Sequence, residues 1–185
     1  MKKFKLISLI FFLLVVGCAG IQQARDDLNN YKQTVSTWTS YKDVEQWFIE
    51  NFEYDHGRFL LWRNHGISGG LQNPEDLFKT KTGVCTGAAF FVHETLWKIN
   101  PKYKPRPNYF QFSNARGDDH YVCSFRLDGK LYIMDYGVPR GHRRFGGRGT
   151  HGPFDKLSDY KKFVEEHAGQ KIESMFYVTL YRGKW

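Results

Sequence analysis

From Thr86 onward the apolar positions recur with helical spacing: Ala88, Phe91, Val92, Thr95 and Leu96 share one face. Asn100-Pro101 closes that run. Just upstream, Asn73 suits an N-cap, Pro74 the first helical position, and Glu75 and Asp76 the first turn. Gly83 is the expected stop of that shorter helix, and Cys85 then stands at the head of the next. A further helix is expected from a Ser40 cap to about Asn51, with Asp43 completing a capping box and Val44, Trp47 and Phe48 facing the core. Leu157–Ala168 reads the same way, with Ser158 as cap, Tyr160, Phe163 and Val164 inward, and Gly169 as stop.

Alternation marks the strands. Tyr109 to Ser113 places Phe110 and Phe112 on one face and Tyr109 and Gln111 on the other. His120–Leu127 and Lys130–Tyr136 flank Asp128-Gly129, a strong signal for a two-residue hairpin turn. That turn sets Leu127 opposite Lys130, Val122 opposite Asp135 and His120 opposite Gly137. His120, Val122 and Asp135 then share a face, with Asp135 diagonal to His120, roughly 7 Å away at Cβ. Tyr121 and Cys123 point to the other side. Glu173 to Arg182 reads as a last strand. Residues 52–70 mix aromatics with polar groups. They suggest only a short helix near Arg58–Arg63, and His56 and His65 read as solvated or structural. Helices and antiparallel strands in separate runs predict an α+β domain, with no internal repeat.

The N-terminus is different in kind. Lys2, Lys3 and Lys5 precede an apolar run from Leu6 to Val16, too short to span a bilayer and suited to a signal peptide. Val15-Val16-Gly17-Cys18 follows and resembles the bacterial lipobox, which implies lipidation at Cys18. Ala19 in second place resembles outer-membrane sorting, facing the periplasm, in a Gram-negative cell. The expected organisation is a lipoprotein signal peptide over 1–17, a lipidated polar tether over 18–40 and a domain over 41–185. The expected location is the cell envelope, with the lipid on Cys18 in the membrane.

Charge narrows the partners. The chain carries 27 Lys+Arg and 19 Asp+Glu, and losing the three leader lysines leaves a mature net charge of +5. That admits anionic partners without demanding nucleic acid, and export argues against it. With Cys18 acylated, Cys85 and Cys123 remain. Cys123 points away from the face that carries His120, which speaks against a disulfide with Cys85; there is no CxxC pair to suggest zinc, and no metal or cofactor is expected.

A cysteine at a helix N-terminus sits at the positive end of the helix dipole, which favours the nucleophilic thiolate. Gly83 and Gly87 are expected to leave backbone open around its sulfur. His120 on a strand and Asp135 on the paired strand complete an arrangement for thiol catalysis. His120 takes the proton and Asp135 orients the imidazole. The Cys85 N–H is a natural oxyanion donor, with Gln72 or Asn73 as candidates for a second.

The block DLFKTKTGVCTGAAFF, the strand HYVCSF and the strand LYIMDYG together resemble the transglutaminase-like superfamily, of papain-like fold. The family order is Cys helix, His strand, Asp strand, and the separations here are 35 and 15 residues. The resemblance implies a nucleophile helix packed on an antiparallel sheet, with Cys85 as nucleophile, His120 as base and Asp135 as orienter. It differs from the family in Val122-Cys123 after the His and Tyr136-Gly137 after the Asp. Papain-like cell-wall endopeptidases match less well, because Asp135 occupies the orienter's place.

The resemblance implies an amide or peptide hydrolase working through a thioester on an envelope protein or peptide. The alternatives are a protein-glutamine transferase that cross-links envelope proteins, and a scaffold or binding module without catalysis. The basic, Gly-rich stretch from Pro139 to Pro153 reads as a loop. Arg140, His142, Arg143 and Arg144 are its candidates for a substrate rim.

Overall fold

The computed structural model describes residues 30–65, 72–113, 119–141 and 146–178. Its centre is a five-stranded antiparallel sheet. In chain order the elements are α1 (Tyr41–Asn51), β1 (Glu53–Tyr54), α2 (His56–His65), α3 (Pro74–Thr80), β2 (Thr82–Gly83) and α4 (Cys85–Ile99). A 3-10 turn at Pro101–Tyr103 leads to β3 (Arg106–Phe112), β4 (Asp119–Leu127), β5 (Lys130–Asp135), β6 (Gly149–Phe154), α5 (Leu157–Ala168) and β7 (Ile172–Tyr177). The strand order across the sheet is β6-β5-β4-β3-β7.

Side-chain alternation divides the core into two layers. Cys123, Phe125, Met134 and Tyr136 face the α1 and α4 side, where they pack with Trp47, Phe48, Phe91 and Leu96. Phe110, Phe112, Val122, Leu131 and Ile133 face the other side, against Leu157, Tyr160 and Val164 of α5. Trp47 and Phe48 both pack on Phe91, the first stacked at 4.7 Å and the second edge-on at 5.4 Å. Fully burying one such ring contributes about 2–3 kcal/mol, so this aromatic cluster holds α1 to α4.

The helix ends follow local chemistry. Ser40 caps α1, and the Asp43 carboxylate accepts from the Ser40 N–H at 2.8 Å, closing the capping box. Asn73 caps α3 through its side-chain oxygen, which accepts from the Asp76 N–H. Lys81, not Gly83, ends that helix, in a left-handed conformation. Gly83 instead belongs to a two-residue parallel bridge in which Tyr54 lies beside it. At α5 the cap position is Lys156 rather than Ser158, and the Asp159 carboxylate accepts from its N–H. Gly169 ends α5 at φ 62°, where the absence of a Cβ matters.

Four other expectations change. The tether does not run to residue 40: residues 30–36 are helical, and Tyr31 and Val35 join the main core. The Tyr31 hydroxyl pairs with Thr95 Oγ1 at 3.0 Å. The stretch from Pro139 to Pro153 is not all loop, because 149–154 form edge strand β6 beside β5. The short helix near 58–63 is a longer one, α2, with no buried residue. The last strand runs Ile172–Tyr177, and the remainder of the expected Glu173–Arg182 strand from residue 179 lies outside the described residues, as do Cys18 and the leader.

Candidate active site

Cys85 is the first residue of α4, with Val84 in the cap position. Helix geometry leaves the N–H groups of the first turn without partners inside the helix, so the Cys85 N–H is presented beside its own sulfur. The chain leaving β5 closes over this end. A Cβ built on Gly137 would lie 2.2 Å from Cys85 Cα, so only glycine lets the two backbones meet.

His120 opens the part of β4 that carries the site, and Asp135 ends β5. The hairpin register pairs Leu127 with Lys130 and Cys123 with Met134, as the Asp-Gly turn predicts. The ladder stops there, one pair short of Asp135. His120 Nε2 meets Asp135 Oδ2 at 2.8 Å, with His120 2% exposed and Asp135 0%. Cys85 is a second neighbour of the imidazole, acting on it through a side-chain hydrogen bond and its charge. Cys85 is 5% exposed.

Two opposed effects act on the imidazole. Burial by itself disfavours the imidazolium. The Asp135 charge and hydrogen bond, joined by the Cys85 hydrogen bond and charge, favour it and prevail, so the His120 pKa is pushed up to about 10. The three residues named from the sequence are therefore in contact in the order Cys, His, Asp.

Aromatic rings surround the sulfur. Tyr121 packs with Cys85 and Ala89, flanked by Tyr109 and Val178. Tyr109 and Tyr121 meet edge to face at 5.2 Å. Tyr54 approaches from the β1–β2 bridge; burial raises its phenol pKa, and Cys85 is among its electrostatic neighbours. No local pattern marks Tyr54 for this position, because the parallel bridge that delivers it is only two residues long.

The oxyanion candidates behave differently from expectation. Asn73 is occupied as the α3 cap. Gln72 donates its amide N–H to Thr80 Oγ1 at 3.0 Å, and its buried Oε1 has no partner. Nor do Gly83 and Gly87 simply open space at the sulfur: Cβ atoms there would press on Gln72 Oε1 and Leu77. They admit the packing of the 72–77 segment against α4.

Of the expected rim, Arg140 is engaged by Glu53 Oε1 at 2.6 Å and by the Ile49 carbonyl at 2.9 Å. His142, Arg143 and Arg144 lie outside the described residues. Arg148 is structural: one guanidinium nitrogen donates to the Phe48 and Phe52 carbonyls at 2.8 and 2.7 Å. Cys85 and Cys123 are both free thiols. Among the described residues, no group of three or more His, Cys, Asp or Glu side chains is arranged to hold a metal ion.

The sequence profile of the transglutaminase-like domain family matches residues 22–142, well over half of the chain. This protein belongs to that family, and its helix-on-antiparallel-sheet core is the family's fold. The matched span begins inside the stretch expected to be tether.

A Bacillus subtilis (strain 168) protein, YvgL, named as an ABC transporter substrate-binding lipoprotein, is 34% identical over 73 residues. The match covers 38% of this chain and 28% of that relative's length. Among solved structures, Legionella pneumophila LapG (EGTA-treated) aligns over 88% of this chain and 81% of its own, at 14% identity and TM-score 0.41. A structure titled as a TGase aligns over 78% of this chain and 44% of its own, at 12% identity and TM-score 0.41. Likenesses of that size carry no functional argument; the family assignment stands on the sequence match.

Proposed function

We propose that the protein is a cysteine hydrolase that cleaves an amide or peptide bond through a thioester acyl-enzyme. The observation that carries this reading is the buried contact chain from Cys85 at the head of α4 through His120 to Asp135. With the proton already on His120, the Cys85 sulfur attacks the carbonyl carbon. The C–S bond forms as the carbonyl electron pair moves to oxygen, beside the Cys85 N–H. The intermediate collapses with cleavage of C–N, and His120 returns the proton to the leaving amine. Water then adds to the thioester with His120 as base, releasing the acid and the free thiol. Asp135 holds the imidazole through Nε2.

Iodoacetamide tests the reading directly. The expected result is fast alkylation of Cys85 near neutral pH, slow alkylation of buried Cys123, and loss of the fast phase in His120→Ala. A Cys85 as slow as Cys123 would leave a scaffold in place of an enzyme. Incorporation of a labelled primary amine into a glutamine-bearing protein, without hydrolysis, would move the assignment to a transferase. Comparing envelope proteomes of wild type and Cys85→Ala identifies the substrate as peptides that are cut, or joined, only with the thiol present.

We also propose that lipid on Cys18 holds the domain at the cell envelope. The basic start, apolar run and Gly17-Cys18 support it, as does the lipoprotein name of the Bacillus relative. No helix among the described residues is long and apolar enough to cross a membrane. Labelled palmitate should enter the wild-type protein and not Cys18→Ser; equal labelling would remove this site.

A further inference from the structure

We infer that Tyr160 is a positioning residue for Asp135, its hydroxyl donating to Oδ1 while His120 holds Oδ2; this rests on the acyl-transfer reading above.

Asp135 has two oxygens in the interior and only one accounted for. Oδ2 accepts from His120, while buried Oδ1 has no partner within strict hydrogen-bond geometry. The Tyr160 hydroxyl is buried without one too. The two groups are nonetheless neighbours: after burial itself, the Asp135 charge acts on the Tyr160 phenol. A phenol can donate and a carboxylate can only accept, so closing the bond satisfies both atoms, while leaving it open costs two desolvation penalties. That asymmetry decides for the bond.

The fold places the pair with little freedom. Asp135 follows Leu131 and Ile133 on the β5 face turned toward α5, and Tyr160 lies in the same core cluster as those two. The Tyr160 side chain is 1% exposed. Its ring is enclosed by Phe110 at 5.6 Å, Phe154 at 5.6 Å and His151 at 5.9 Å, so the hydroxyl is aimed by packing. A carboxylate held by one oxygen can swing about its Cβ–Cγ bond. A second donor fixes its plane and keeps Oδ2 in line with His120 Nε2–H. Tyr160 lies beyond the 22–142 span that matches the family, so α5 contributes it from outside that span.

The test uses the full chain and Tyr160→Phe, which keeps the ring and removes the hydroxyl. Alkylation of Cys85 by iodoacetamide should slow about three- to tenfold, the change expected for one lost hydrogen bond. The downfield NMR line of the His120 Nε2 proton should shift and exchange faster with water. A folded variant with rate and line both unchanged overturns the inference, and so does a slower rate with an unmoved line, which signals packing alone. Should the variant fail to fold, the wild-type protein decides. A slowly exchanging Tyr160 hydroxyl proton that shifts in Asp135→Asn supports the bond, and one that exchanges at the solvent rate overturns it. The acyl-transfer reading fails separately, if Cys85 reacts no faster in wild type than in His120→Ala; the proton lines then still report on the bond.

Discussion

His120 and Asp135 are fifteen residues apart in sequence and 2.8 Å apart in space, joined across the open end of a hairpin where the backbone ladder has already stopped. Folding raises the His120 pKa from an ordinary 6.5 to about 10. A group raised on folding stabilises the fold in its protonated form. The contribution is whole below about pH 6.5, shrinks as pH rises above that, and is gone above about pH 10. Denaturant midpoints measured from pH 6 to 10.5 should therefore fall in the wild type, and Asp135→Asn should flatten the fall. Parallel curves for the two proteins would contradict this account of the pair.

Gly137 should tolerate no side chain. Its added Cβ would meet backbone, not a movable side chain, at 2.2 Å from Cys85 Cα. Gly137→Ala is expected to lose at least about 2 kcal/mol of stability and to disturb Cys85 reactivity. Gly129→Ala is the comparator. Its Cβ meets open space, leaving only the left-handed φ of 77° as a cost of about 1–2 kcal/mol, with Cys85 alkylation unchanged.

Arg148 should act through geometry rather than charge. It bridges the Phe48 and Phe52 carbonyls and lies over the Phe52 and Tyr136 rings, at 5.3 and 5.7 Å from their centroids. Burial lowers its pKa, yet the guanidinium stays charged. Arg148→Met is expected to cost about 2–3 kcal/mol in equilibrium unfolding. Arg148→Lys should recover little of it, because an ammonium lacks the planar face that lies over the Phe52 and Tyr136 rings. Full rescue by lysine would show that charge alone matters.

The domain should need its chain from about residue 30. Tyr31 packs edge-on to Phe78 at 5.5 Å and against Phe91 at 5.8 Å, and Lys98 Nζ lies 4.3 Å from its ring centroid. Tyr31→Ala is expected to lose about 3–5 kcal/mol. A protein beginning at residue 30 should melt like one beginning at residue 18, and one beginning at residue 41 well below both. Equal melting of all three would return residues 30–40 to the tether.

How much of this was legible beforehand depends on how local the cause is. The α4 start at Cys85, the caps at Ser40 and Asn73, and the α5 limits at Leu157 and Ala168 are visible in a few adjacent residues. So is the β4–β5 register, because one two-residue turn fixes every opposed pair beyond it. That register set His120 and Asp135 on one face, and the order of Cys, His and Asp brought the family resemblance with it.

Other features depend on distant partners. Residues 149–154 become a strand because β5 offers them an edge, although their glycines and proline read as loop. Tyr31 looks like part of a polar tether until Phe78, Phe91 and Thr95 surround it. Tyr54 comes into the electrostatic neighbourhood of Cys85 only through a two-residue bridge, and Tyr160 is placed near Asp135 only because α5 packs across the sheet. The sequence by itself determined the hairpin register, the starts of α1, α3 and α4, the limits of α5 and the three candidate side chains, since each follows from neighbours a few bonds away. Tertiary structure alone decided which polar atoms are buried, which of them are paired, and which rings close over the thiol. Those properties belong to surfaces brought together by folding, and they exist only once the layers have packed.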